Sequence, residues 1–280
     1  MANACAIVDR RLPGVGLIGF FESSSEGAYG QLVLQEAIAY LVSLGATTIR
    51  GPVDLTTWNG FRLSCTDDEP PFVSEPFNPA YYRAFFTALG FSVAQRNIST
   101  IHSADQVGFD RFRTCFERLE EGGLSFERVK GQRLFDALQQ LHKLVIDCFS
   151  DTWSFVPVSF AEFQYTFMEL DSTNSEALVY IAYSASGQPV GFCFGALDWP
   201  ENGRRAIIKS VAVVPVERRL EIARALLYRV YADAVEGGAS EFILSTMRDD
   251  NKRVRALLPG LRPPYRHYEV YELDVRRGSP

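Results

Sequence analysis

Residues 205–251 constrain the fold more than any other stretch, because they spell out strand, turn, helix and strand without a break. Residues 206–214 are short, rich in β-branched side chains and bounded by Pro215, the pattern of a mostly buried strand. Residues 215–220 turn the chain. From Glu221 the apolar positions switch to helical spacing at Ala223, Leu226, Leu227, Val230 and Ala234. Gly237-Gly238 stops that helix, and residues 241–245 begin another strand. A helix that starts directly after a buried strand turns its free backbone N–H groups, and the positive end of its dipole, toward whatever lies over the turn. That is a natural anion site, and Arg218, Arg219 and Arg224 add positive charge around it. Taken alone, the stretch also fits an ordinary buried βαβ unit with solvated arginines.

The rest of the composition narrows the function. At 280 residues the chain is one large domain or two small ones, and 47% apolar residues suffice for a core. A net charge of −6 argues against a nucleic-acid partner. Cys5, Cys65, Cys115, Cys148 and Cys193 are scattered, odd in number and form no CxxC pair, so reduced thiols in an intracellular, cytoplasmic protein are expected. Residues 1–10 are too short and too soon charged for a signal peptide, and no apolar run is long enough to span a membrane. His102, His142 and His267 stand in no metal-ligand spacing, so no metal is expected. There is no GxSxG elbow, HExxH pair or P-loop. Gly14-Val15-Gly16-Leu17-Ile18-Gly19 matches GxGxxG but leads into a strand, whereas a dinucleotide fingerprint must open a helix.

In order, the pattern gives a strand over 17–22, a helix over 29–44 with Leu32, Leu34, Ala37, Ile38 and Leu41 inward, a strand over 47–50, a helix over 81–89 and a strand to about 101. This order repeats that of residues 206–273 without sequence identity between the halves. Residues 103–123 read as a charged helical connection. Domains are therefore expected at 1–105 and 124–280, with 106–123 as linker. The second domain reads as a strand over 124–129, a helix over 132–149, a helix over 159–170 and a hairpin of 177–184 with 189–197, and ends on an edge strand over 268–273. Ser159 and Glu162 form a capping box for the second of these helices.

Two motifs carry a resemblance. Val211-Ala212-Val213-Val214-Pro215-(x)2-Arg218-(x)4-Ala223-Arg224-Ala225-Leu226-Leu227 resembles the acyl-CoA-binding segment of the GNAT superfamily of N-acyltransferases. The loop Gly51-Pro52-Val53-Asp54-(x)3-Trp58-(x)3-Arg62, followed by Glu75-Pro76-Phe77-Asn78-Pro79-Ala80-Tyr81-Tyr82, resembles the N-terminal half of two-part GNAT-like proteins found among biosynthetic genes. The resemblance implies an α/β fold: a mixed central sheet flanked by helices, with a truncated GNAT-like first half and a complete GNAT second half. It implies that Val211 or Val213 offers a backbone N–H to a thioester carbonyl. Arg218, Arg219, Ala223, Arg224 and Asn251 would serve the donor cofactor.

Glu221 stands where the family has glycine, so both acyl-CoA and an acyl carrier protein remain as donors. The usual carboxylate base is absent from residues 205–208, and the usual tyrosine acid is replaced by Leu258. Candidate substitutes are Glu75, Asp249, Tyr265 and His267, with Asp54, Trp58, Arg62 and Tyr81 as substrate contacts. The loop also reads as a rigid, proline-pinned cover over the sheet. The expected activity is N-acylation of an amine on a peptide or small molecule, including fatty acylation of a lysine- or ornithine-type amine. The alternative is a non-catalytic GNAT-like module that senses an acyl metabolite or docks a partner.

Overall fold

The computed structural model describes residues 1–25, 27–66, 71–103, 105, 108–172, 177–198, 204–217, 220–258 and 262–277, without the side chains of 27 and 167–172. In chain order the elements begin β1 (Ala2–Val8), β2 (Val15–Ser23), α1 (Gly27–Ser43), β3 (Thr48–Gly51), β4 (Val53–Asp54), β5 (Gly60–Phe61), β6 (Leu63–Ser64), α2 (Tyr82–Ala88) and β7 (Ser92–Ser103). Next come α3 (Phe109–Glu121), β8 (Ser125–Val129), α4 (Gln132–Phe149), α5 (Phe160–Ser172), β9 (Ala177–Tyr183) and β10 (Pro189–Asp198). The chain closes with β11 (Arg205–Val213), α6 (Leu220–Glu236), β12 (Glu241–Arg248), α7 (Lys252–Leu257) and β13 (Arg266–Asp274).

These elements form two compact units. The first holds Met1–Ile98, Thr152–Val156 and Arg266–Pro280; the second holds Ser99–Asp151 and Pro157–Tyr265. The first unit carries the strand order β1-β2-β3-β13-β7, with β6 paired to β13. β2 and β3 are parallel, joined by α1, while β1 is antiparallel to β2 and β13 is antiparallel to β3 and β6. Its core packs Ile18, Leu34, Leu41, Ile49 and Phe86, all fully buried, against Phe21, Tyr82, Phe85 and Tyr271. Gly19 permits the close crossing of the β4–β5 hairpin over β2: a Cβ there would lie 2.3 Å from the Val53 carbonyl oxygen.

Two expectations change here. β13 belongs to the first unit, paired with β3 and β6, and does not close the C-terminal half. Alternation along residues 268–273 signals a strand but says nothing about its partner. On α1 the buried positions are Gly30, Leu34, Ala37 and Leu41, and Leu32 is exposed. The four-three-four spacing leaves Leu32 off the covered stripe.

The second unit orders its strands β12-β11-β10-β9-β8, with β11 and β12 parallel and the remaining pairs antiparallel. α6 is buried at Ile222, Ala225, Leu226, Leu227, Val230 and Ala234, all at 0% exposure, because α3 covers the side that the sheet does not. Phe109 and Phe112 of α3 contact Tyr231, and Phe116 contacts Tyr228 at 5.3 Å between ring centroids. The segment expected as a linker is thus a packed helix of the second unit. Its charged residues occupy the exposed face, which made it read as a connector.

α4 covers Gln132–Phe149, as its apolar spacing predicts. The capping box at the start of α5 forms as read: the Ser159 N–H donates to Glu162 Oε2 at 2.6 Å, and the Glu162 N–H donates to Ser159 Oγ at 3.3 Å. We expect Ser159→Ala to cost about 1 kcal/mol in urea unfolding, the usual loss on removing a helix cap.

Candidate functional site

The second unit contains a discontinuity in its sheet. β11 and β12 pair in parallel over four rungs, from Arg205↔Glu241 to Ile208↔Leu244, and no further. On the opposite edge of β11, Gly195 faces Ile208 and Phe194 faces Ser210, so Lys209 is the extra residue of a β-bulge. A bulge bends its strand and increases the local twist. Gly195 lies opposite: a Cβ there would meet the Ile207 carbonyl oxygen at 2.9 Å and Val230 of α6 at 3.2 Å. Beyond the bulge, residues 209–213 are half-buried, whereas 205–208 are buried. The edge of β11 that faces β12 therefore loses its strand partner at the point where Val211 and Val213 follow. A short turn then leads into the first turn of α6, where Ala223 is half-buried. Arg218 and Arg219 lie outside the described residues.

Around this gap, several expected cofactor residues have local partners. Arg224 is buried, and its Nη2 donates to the Ala256 carbonyl at 3.0 Å while Nε donates to Leu257 at 3.4 Å. Arg224 thus satisfies free carbonyls at the end of α7. Asn251 is the N-cap of α7: its Oδ1 accepts from the Arg253 and Val254 N–H groups at 3.1 and 3.2 Å. Asp249 sits half-buried in the turn after β12, with its backbone carbonyl bonded by Arg255 Nη2 at 2.7 Å. The Tyr265 N–H donates to the Ser99 carbonyl at 2.7 Å. Glu221, the departure from glycine, forms an ion pair with Arg118 of α3, which compensates its charge. Asp198 is held by Arg205 at 2.9 Å.

In the first unit, the loop motif is consumed by its own architecture. Glu75 has a fully buried carboxylate that accepts from Tyr268 Oη at 2.5 Å and from the Phe72 N–H at 3.2 Å and forms an ion pair with Arg266, 3.1 Å from Nε. These contacts tie the carboxylate into the core of the unit. Over it lies a cavity of about 380 Å³ bordered by Ser64, Thr66, Pro76, Phe77, Asn78 and Arg266. Asn78 bridges the Ser64 backbone, accepting from its N–H at 2.7 Å and donating to its carbonyl at 3.2 Å.

Trp58 donates its indole N–H to the Val156 carbonyl at 2.8 Å and so fastens residues 152–156 into this unit. Tyr81 donates to the Ser23 carbonyl at 2.8 Å. Arg62 stacks its guanidinium 3.6 Å from the Phe61 ring centre. Burial pulls its pKa down to about 9, against the opposing pull of Tyr268. Asp54 accepts from the Phe20 N–H at 2.6 Å, and burial raises its pKa above the ordinary 3.8. His267 is exposed and pairs through its backbone with Thr66 and Cys65.

The structure thus places Glu75, Asp54, Trp58, Arg62, Tyr81 and His267 in the first unit and the remaining described candidates in the second. Sequence reasoning missed Ser245 on β12, which is 5% exposed and whose hydroxyl has no hydrogen-bond partner. The available signal was a polar residue ending the apolar run Phe242-Ile243-Leu244. Among the described residues no group is arranged to hold a metal ion, and no helix is long and apolar enough to cross a membrane.

Residues 138–258 match the model of the acetyltransferase (GNAT) family. Among solved structures, a tandem GNAT protein from the clavulanic acid biosynthesis pathway, without acetyl-CoA, aligns with a TM-score of 0.57 at 14% identity, over 93% of this chain and 75% of that one. A GCN5-related N-acetyltransferase from Sphaerobacter thermophilus aligns with a TM-score of 0.55 at 14% identity, over 97% and 76%. The glucosamine N-acetyltransferase region of a fungal multi-domain GH3 β-N-acetylglucosaminidase aligns at 0.61 and 13% identity, over 97% of this chain and 31% of that one. No curated protein sequence matches. The likeness shows a mixed α/β fold of the tandem GNAT kind.

Two outcomes follow for the first unit. Glu75→Ala removes the carboxylate from the buried ion pair with Arg266, and we expect a loss of about 3–5 kcal/mol in urea unfolding. Asp54 has a folded-state pKa raised above its unfolded value, so its burial favours the protonated form, and stability is lost as pH rises through the folded pKa. Asp54→Asn keeps an acceptor for the Phe20 N–H without that charge. Its melting temperature is expected to gain on the wild type as pH is raised from about 4 to 7, whereas Asp54→Ala loses stability throughout.

Proposed function

We propose, from the premise that residues 138–258 are a GNAT-family domain, that the protein is an N-acyltransferase that moves an acyl group from acyl-CoA to an amine. The observation that carries this reading is the parting of β11 from β12 after a bulge, with the α6 N-terminus at the end of the same strand. A pantetheine arm is an amide chain. Laid along the free edge of β11, it takes the place of the missing strand through backbone hydrogen bonds. The N–H of Val211 or Val213 then meets the thioester carbonyl. The diphosphate lies over the first turn of α6, where free N–H groups and the helix dipole favour an anion. In the transfer, the amine nitrogen bonds to the carbonyl carbon as the C–S bond breaks. The amine sheds one proton and the thiolate gains one, so no further reactant is needed.

We infer that the acyl group is short. A lipid tunnel needs aromatic or aliphatic walls around a void, and the phenylalanines near α6 are instead packed on its tyrosines. Phe109, Phe112 and Phe116 rest on Tyr228 and Tyr231, and Phe242 lies 4.4 Å from Tyr231. A non-catalytic acyl-CoA-binding module is the second reading. Its support is that Glu75, a candidate base, is held in an ion pair with Arg266.

Native mass spectrometry with acetyl- to palmitoyl-CoA, beside bare CoA, tests the donor. We expect binding of CoA and acetyl-CoA with no gain on lengthening the chain. Absence of any CoA adduct contradicts the site. Thiol release with a panel of primary amines separates the enzyme from the binding module. Arg118→Ala leaves Glu221 uncompensated at the start of α6. It is expected to weaken acetyl-CoA about two- to fivefold, the range of an exposed ion pair, while Glu221→Gln does not weaken it.

A further inference from the structure

Among the described residues two hydroxyls are buried without a hydrogen-bond partner, those of Tyr231 and Ser245, and Ser245 is the one on β12 beside the gap. Ser245 is 5% exposed. Buried hydroxyls without a partner are rare and mark a ligand or an ordered water. Ser245 follows Leu244, the last residue of β12 that pairs with β11. Its counterpart on β11, one step past Ile208, is Lys209, the bulged residue. The orphan hydroxyl therefore stands at the start of the gap between the strands. Phe242 rests on Tyr231 of α6, and Leu244 shares that face by the two-residue period of a strand. Ser245 lies on the other face with Ile243, away from the aromatic packing of α6.

We propose that Ser245 Oγ–H donates a hydrogen bond to the carbonyl oxygen of the bound acyl thioester, alongside the backbone N–H of β11. This rests on the acyl-CoA reading of the same gap. The oxygen is the only strong acceptor at the reacting end of the donor, since thioester sulfur accepts weakly. Its negative charge grows as the amine adds to the carbonyl carbon. A donor already fixed in a dry site is then worth more in the transition state than in the bound thioester.

The test compares acetyl-CoA with S-ethyl-CoA, a thioether of similar size that has no carbonyl. Calorimetric titration of the full chain gives the ratio of the two dissociation constants. The wild type is expected to prefer acetyl-CoA. Ser245→Ala should cut that preference about fivefold, the value of one neutral hydrogen bond, and Ser245→Thr, which keeps the hydroxyl, should preserve it. Thermal melting of each variant confirms the fold. An unchanged preference in Ser245→Ala, or no preference in the wild type, overturns the assignment while leaving the CoA site standing. Failure of both ligands to bind the wild type removes the site and the assignment together.

Discussion

A bulge on one edge of β11 coincides with the end of its pairing on the other, and this sets the character of the second unit. Lys209 is the extra residue in the β10–β11 ladder, and the β11–β12 ladder ends one residue earlier, at Ile208. The paired half of β11 is buried, with Ala206 and Ile207 fully enclosed, and it fixes the sheet. The unpaired half keeps backbone donors and acceptors without a strand to receive them. Such an edge inside a folded unit is costly unless something pairs with it. An extended amide-containing chain fits that need. The same strand leads to the α6 N-terminus, so in the proposed reading one defect in the sheet would organise a backbone track, a carbonyl site and an anion site in sequence.

The first unit spends its polar groups on itself. Glu75, Arg266 and Tyr268 form a buried cluster, Asn78 substitutes for a strand against Ser64, and Trp58 fastens residues 152–156. Each of these residues looks chemically active in one dimension. Each is explained in three by a backbone or charge that would otherwise be buried without a partner. A buried ion pair of this kind contributes little net stability compared with an apolar replacement, but losing one partner is severe.

Much of the fold was legible because periodicity is a local property. The apolar spacing of α4 and the Ser159–Glu162 capping box were readable without knowledge of any neighbour, and both formed. Pairing partners were not legible. Alternation over 268–273 marks a strand without naming its partner, β3 of the first unit, and the aromatic stripe that packs α3 on α6 is short among many charges. At the site, Val211, Val213 and Ala223 fall where the strand-turn-helix pattern puts them. The side chains misled more. Arg224 adds a charge to the sequence near the phosphate turn, yet its guanidinium is occupied by the carbonyls of α7. Ser245 is one serine among many until its burial and its missing partner are known.

The proposed site requires a thioester arm lying along β11 beyond Lys209. Hydrogen–deuterium exchange of the protein with and without acetyl-CoA measures this directly, because new backbone hydrogen bonds slow exchange where they form. Slower exchange over residues 210–214 and over the first turn of α6 is the predicted result. Bound acetyl-CoA that leaves those amides exchanging as before, with protection appearing elsewhere, would contradict it.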